Sequence, residues 1–74
     1  MILSDENIEK IRFFKDLINR GRYGSTEDIT NTYNEVFKDR PNFKPVKPTN
    51  CGSCLRLRIC EMYGEMEAVL GKLN

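Results

Sequence analysis

The segment RPNFKPVKPTN, residues 40–50, holds all three prolines of the chain within eight positions, at Pro41, Pro45 and Pro48. Each proline removes a backbone donor and crowds the preceding turn, so neither a helix nor a central strand can run through this stretch. The regular structure must therefore form on either side of it. Within the link, Phe43 and Val46 can pin the chain to a core, while Lys44 and Lys47 face solvent.

Both flanks carry helical periodicity. SDENIEKIRFFKDLINRG predicts a first helix over about 5–19. Ser4 is a good N-cap, and Asp5 and Glu6 suit the positive end of the helix dipole. Ile8, Ile11, Phe14 and Ile18 recur at helical spacing, Phe13 and Leu17 broaden the stripe, and Gly21 is a natural stop. A second helix is expected over about 26–39, where Ser25 and Asp28 imitate a capping box and Ile29, Tyr33, Val36 and Phe37 form an apolar face. Thr30, Asn31, Thr32 and Asn34 give it weak propensity, so it depends on packing. A third helix is expected over about 51–72, capped by Thr49 or Asn50. Cys51, Leu55, Ile59, Met62, Met66, Val69 and Leu73 make a heptad-like seam along it.

The expected fold is all-α: a small three-helix domain over residues 1–74, with a proline-rich link before the last helix. A chain of 74 residues buries only a thin core. The seam is long enough to serve a homodimer as well as that core.

Charge is nearly balanced, at +1 from 12 basic and 11 acidic side chains. A dedicated DNA-binding module of this size is usually far more basic. The distribution is uneven: residues 38–58 are basic and both ends are acidic. MILSDENIEK has no apolar run of the signal-peptide kind, and no stretch reads as a membrane span, so a cytoplasmic protein is expected.

All three cysteines fall in TNCGSCLRLRIC, residues 49–60. An odd number suits reduced thiols. Cys51 and Cys54 have zinc-knuckle spacing, but the chain has no histidine. On a continuous helix they lie roughly 60° apart, and Cys60 roughly 180° from Cys51. One ion within one chain is thus poorly served, whereas two chains could share one. A redox dithiol at a helix N-terminus is a second reading, without the βαβ context usual for it. The third reading is favoured: Cys51 as a small buried hydrophobe, Cys60 beside Leu57 on another buried face, and Gly52 allowing close backbone approach. No metal or other cofactor is expected.

Two surface sets can bind partners. Glu27, Asp28 and Glu35, with Tyr33 as an aromatic anchor, suit a basic protein surface. Lys44, Lys47, Arg56 and Arg58 could contact nucleic acid. A short glycine-containing turn before the second helix suggests a helix-turn-helix, but its carboxylates would repel phosphates. No catalytic triad, phosphate loop or dinucleotide fingerprint is present, so a non-enzymatic protein is expected.

TYNEVF followed by PTNCGSCLRLRI resembles a group of small bacteriophage proteins that combine a Tyr-Asn helix, a short link and a T-N-C-x-x-C-x-R stretch. Tyr33, Asn34, Thr49, Asn50, Cys51, Cys54 and Arg56 carry the resemblance. It implies a phage protein acting inside the infected bacterium. By size and style the chain is also similar to phage inhibitors of the bacterial replicative sliding clamp. That similarity implies docking on the clamp and blocking its use of DNA. A small DNA- or RNA-binding regulator, or a zinc-stapled interaction protein, are the alternatives.

Overall fold

A computed structural model describing residues 1–72 shows three helices: α1 (Asp5–Asn19), α2 (Thr26–Phe37) and α3 (Gly52–Lys72). Among the described residues there is no strand.

Local chemistry accounts for the helix ends. Ser4 Oγ accepts the Asn7 N–H at 3.1 Å, which starts α1. Gly21 ends it at φ 75°, with its own N–H on the Ile18 carbonyl (3.0 Å) and the Arg22 N–H on that of Leu17 (2.9 Å). This pair of bonds is a Schellman motif, and the left-handed backbone it needs is open to glycine at little cost. Ser25 Oγ caps α2 through the Asp28 N–H at 3.2 Å. The helix stops at Phe37, two residues short of the expected Asp39. Consecutive tight turns follow, through Arg40 N–H to the Phe37 carbonyl (3.0 Å) and Phe43 N–H to the Arg40 carbonyl (3.2 Å). Pro41 disfavours helical backbone at the residue before it, which explains a stop ahead of the proline itself.

The core forms where the three helices meet. Ile11, Phe14 and Ile18 come from α1, and Ile29, Val36 and Phe37 from α2. Leu55, Ile59, Met62 and Met66 come from α3, which packs on both other helices. Each fully buried side chain of this size contributes about 1.5–3 kcal/mol.

Three apolar expectations differ in detail. Phe13 is 57% exposed, so the stripe of α1 is narrower than its sequence suggests. Leu57, 70% exposed, and Cys60 lie on the outer side of α3 and not on a second buried face. Beyond Met66 the buried line passes to Leu70, while Val69 is exposed. A straight helix turns 3.6 residues at a time, so a 3.5-residue seam drifts out of register within two heptads. Leu73, the last seam position, lies outside the described residues. The buried part of the seam is occupied by α1 and α2 of the same chain.

The segments outside the helices are tied down by long-range bonds. Ile2 N–H donates to the Val36 carbonyl at 2.8 Å, and the buried Asn7 amide donates to the Ile2 carbonyl at 3.1 Å. Asn34 binds the link like a strip of backbone: its Nδ2 donates to the Val46 carbonyl (3.0 Å) and its Oδ1 accepts the Val46 N–H (2.9 Å).

Candidate functional site

The start of α1 and the middle and end of α2 meet at an open groove lined by Ser4, Glu6, Asn7, Lys10, Asn31, Thr32 and Glu35. The helical stagger places Asn31, Thr32 and Glu35 along one edge of α2, facing the first turns of α1. Thr32 is 3% exposed, yet its hydroxyl has no hydrogen-bond partner. A threonine inside a helix can turn its hydroxyl back onto the carbonyl one turn before; this one does not. Leaving such a group buried and unpaired costs about 1–3 kcal/mol. The charged rim is held loosely. Lys10 Nζ lies 3.4 Å from Glu6 and 3.7 Å from Asp28, and Lys38 Nζ lies 3.0 Å from Glu35. Exposed pairs of this kind are worth about 0–1 kcal/mol, so a cation from outside can replace the lysines readily.

The proposed partner-binding residues are thus divided. Asp28 and Glu35 belong to this groove or its rim, and Glu27 is exposed in the first turn of α2. Tyr33 turns the other way. Its hydroxyl donates to Glu61 Oε1 at 2.9 Å, and its ring packs edge-on against Phe37 at 4.8 Å. Burial, then the hydrogen bond and charge of Glu61, raise its pKa above the ordinary 10.0.

Tyr33 belongs to a polar clasp that sequence reasoning missed. Arg40, in the turns after α2, donates Nη1 to Glu61 Oε2 at 3.0 Å and Nη2 to Glu65 Oε1. Its guanidinium also stacks 3.7 Å above the Phe37 ring. One signal for the clasp was present. Glu61 and Glu65 stand four residues apart on α3, like charges that repel unless a cation sits between them.

Of the basic residues, Arg58 meets the backbone of Lys47, while Arg56 points elsewhere. Arg56 reaches to α1, where Nη2 meets the Ile18 carbonyl at 3.5 Å. Arg58 turns to the opposite side and donates to the Lys47 carbonyl (3.1 Å) and to Thr30 Oγ1 (3.4 Å). Two residues apart on a helix means about 200° around its axis, which accounts for the split. Lys44 and Lys47 are exposed on the link.

The thiols also stand differently from the favoured expectation of burial. Cys51 is half-buried, and Cys54 and Cys60 are exposed. Cys51 itself caps α3: its Sγ accepts the Cys54 N–H at 3.3 Å and lies 3.3 Å from Ser53 Oγ. Thr49 acts one step earlier, accepting the Cys51 N–H on Oγ1 at 3.1 Å, and Asn50 is exposed. The close approach at Gly52 comes from a side chain and not a backbone, since a Cβ there would sit 3.4 Å from Tyr23 Oη. Among the described residues, no group of three or more His, Cys, Asp or Glu could hold a metal ion. Among them, too, no helix is long and apolar enough to cross a membrane.

Comparison with protein families, with curated proteins and with solved structures finds no match to this chain. Most residues that carry the phage resemblance have structural duties here: Tyr33 and Asn34 fasten α3 and the link, and Thr49 and Cys51 build the start of α3.

Proposed function

We propose that this chain is a non-enzymatic protein-binding module that docks the α1–α2 face on a basic partner surface. The resemblance supplies the biological setting: a phage-encoded inhibitor of host replication machinery in the bacterial cytoplasm, with the DNA sliding clamp as the specific partner. The observation that supports docking is the groove itself. It presents the Glu6 and Glu35 carboxylates, which are held only by loose lysine pairs at the surface. A lysine or arginine of a partner would exchange one loose ion pair for another in a less hydrated setting.

Calorimetric titration against purified sliding clamp tests both parts. The expected result is binding that weakens as salt rises, reduced about tenfold or more in the Glu6→Arg, Glu35→Arg double variant with helicity retained. No binding by the unmodified chain would remove the clamp as partner. Equal binding by the double variant would remove the groove as the docking face. Retardation of duplex or single-stranded DNA in a gel, lost on Arg56→Ala with Arg58→Ala, would place the activity with nucleic acid instead.

A further inference from the structure

The start of α3 brings two thiols together under conditions that favour thiolate chemistry. Cys51 holds the capping position, where a helix presents unpaired N–H groups and the positive end of its dipole. No acidic residue occupies the first turn of α3, so no carboxylate competes for that field. The Cys51 sulfur accepts the Cys54 N–H and lies beside the Ser53 hydroxyl. Thr49 holds the Cys51 N–H, which fixes the capping residue. Hydrogen bonding from the Cys54 thiol, then from Ser53 and the Cys54 N–H, brings the Cys51 thiol down from the ordinary 9.0 to about 7. The same Cys54–Cys51 hydrogen bond raises Cys54. The nearby charge is Arg58, one turn further along α3, and Tyr23 Oη covers Gly52 from the α1–α2 connection. Cys54 is open to solvent and Cys51 half-open, so a small reactant can reach the pair.

We infer that Cys51 and Cys54 form a redox-active dithiol, with Cys51 as the attacking thiol, which a low-molecular-weight disulfide converts to an intramolecular disulfide. In the first step the Cys51 thiolate attacks one sulfur of the small disulfide. That S–S bond breaks, a mixed disulfide forms on Cys51, and one small thiolate leaves and takes a proton from water. In the second step Cys54 gives its proton to solvent and attacks the Cys51 sulfur. The Cys51–Cys54 bond forms and the second small thiolate leaves. Two electrons pass from the protein dithiol to the small disulfide, which becomes two thiols. The Cys51 sulfur lies 3.3 Å from the Cys54 backbone N, and the two residues stand less than one turn apart at the helix start, so the pair that must close is already side by side. Cys60 lies about 9 Å further along the axis from Cys54 and on another side, so it cannot close with either thiol and serves as the internal reference.

This inference is independent of the partner proposed above. Its test is oxidation of the reduced full chain by glutathione disulfide at pH 7, followed by peptide mass mapping. The expected product in the unmodified chain is a Cys51–Cys54 disulfide with no glutathione on either residue. Cys54→Ser is expected to trap glutathione on Cys51 as a stable mixed disulfide, because the resolving thiol is gone, and faster than on Cys60, which caps no helix. Cys51→Ser is expected to abolish disulfide closure while circular dichroism shows α3 intact, because serine caps a helix well. Equal rates at Cys51 and Cys60, or a stable Cys51–glutathione adduct in the unmodified chain, would overturn the assignment. So would freshly purified protein in which both thiols are shielded by half a zinc ion per chain, which would assign them to a metal shared between two copies.

Discussion

The first turn of α3 and its middle are both polar, but they handle charge in opposite ways. In the middle, Arg40 sits between Glu61 and Glu65, stacks on Phe37, and shares Glu61 with the Tyr33 hydroxyl. Every strong group there has a partner, and the cluster joins the turns after α2 to α3. At the first turn, the Cys51 sulfur is held by a backbone N–H and a hydroxyl, with no cation paired to it directly. A group satisfied by opposite charge is structural and inert. A group poised by weak donors at an open helix end remains available for chemistry.

Breaking the support common to both regions should have the largest effect. Ile59 is fully buried midway between the first turn and the clasp. Ile59→Ala is expected to cost about 2–4 kcal/mol in urea unfolding. A small domain of this kind has roughly 0.05–0.15 kcal/mol of stability per residue, so that loss is a large share of the total. Both regions should fail together, with Cys51 losing its faster oxidation relative to Cys60.

Arg40→Ala separates the two regions. It removes two partly exposed ion pairs and the stack on Phe37, and leaves Glu61 and Glu65 facing each other. The expected loss is about 1–2 kcal/mol, shrinking as salt is added. Cys51 should keep its reactivity, because the clasp's hydrogen bonds run to Glu61 and Glu65, more than two turns beyond Cys51. A parallel fall in Cys51 reactivity, with the fold retained, would show that the two regions are coupled.

The smallest effect is the most discriminating, because its sign differs between the regions. Cys51 has a folded-state pKa of about 7, below its ordinary 9.0. Its stabilisation is therefore present above pH 9 and lost as pH falls through 7. Tyr33 is raised above 10.0, so its contribution is present below pH 10 and lost as pH rises through the higher folded value. Urea midpoints measured against pH should show the first dependence vanish in Cys51→Ser and the second vanish in Tyr33→Phe. A Cys51→Ser profile parallel to that of the unmodified chain would remove the thiolate from the helix cap.

Much of the fold was legible because its signals are local. Ser4, Ser25 and Gly21 act on backbone groups within a turn of themselves, and the helix ends fall at or near the expected positions. The candidate sites were less legible. Glu27, Asp28 and Glu35 could be marked as surface acids, but the Thr32 hydroxyl that makes a groove of their neighbourhood read only as low helix propensity. Tyr33 looked like a binding anchor because its carboxylate partner lies 28 residues away. The expected burial of Cys51 followed from extending the α3 seam back to a position that is a cap and no longer helical, and that of Cys60 from a second apolar face with Leu57 that no other helix covers.

The sequence by itself determined three helices, the caps of the first two and a break at the prolines, since each depends on neighbours within about one turn. Only the tertiary structure decided which polar groups meet. Arg40 finds Glu61 and Glu65, Asn34 finds Val46, and Arg56 and Arg58 part toward different helices, all through contacts between distant positions. It also decided that Thr32 is left without a partner, that Cys54 faces solvent and that Cys51 is only half-buried. Propensity and periodicity describe what a residue does to its own helix. Pairing and exposure depend on where the other helices come to rest.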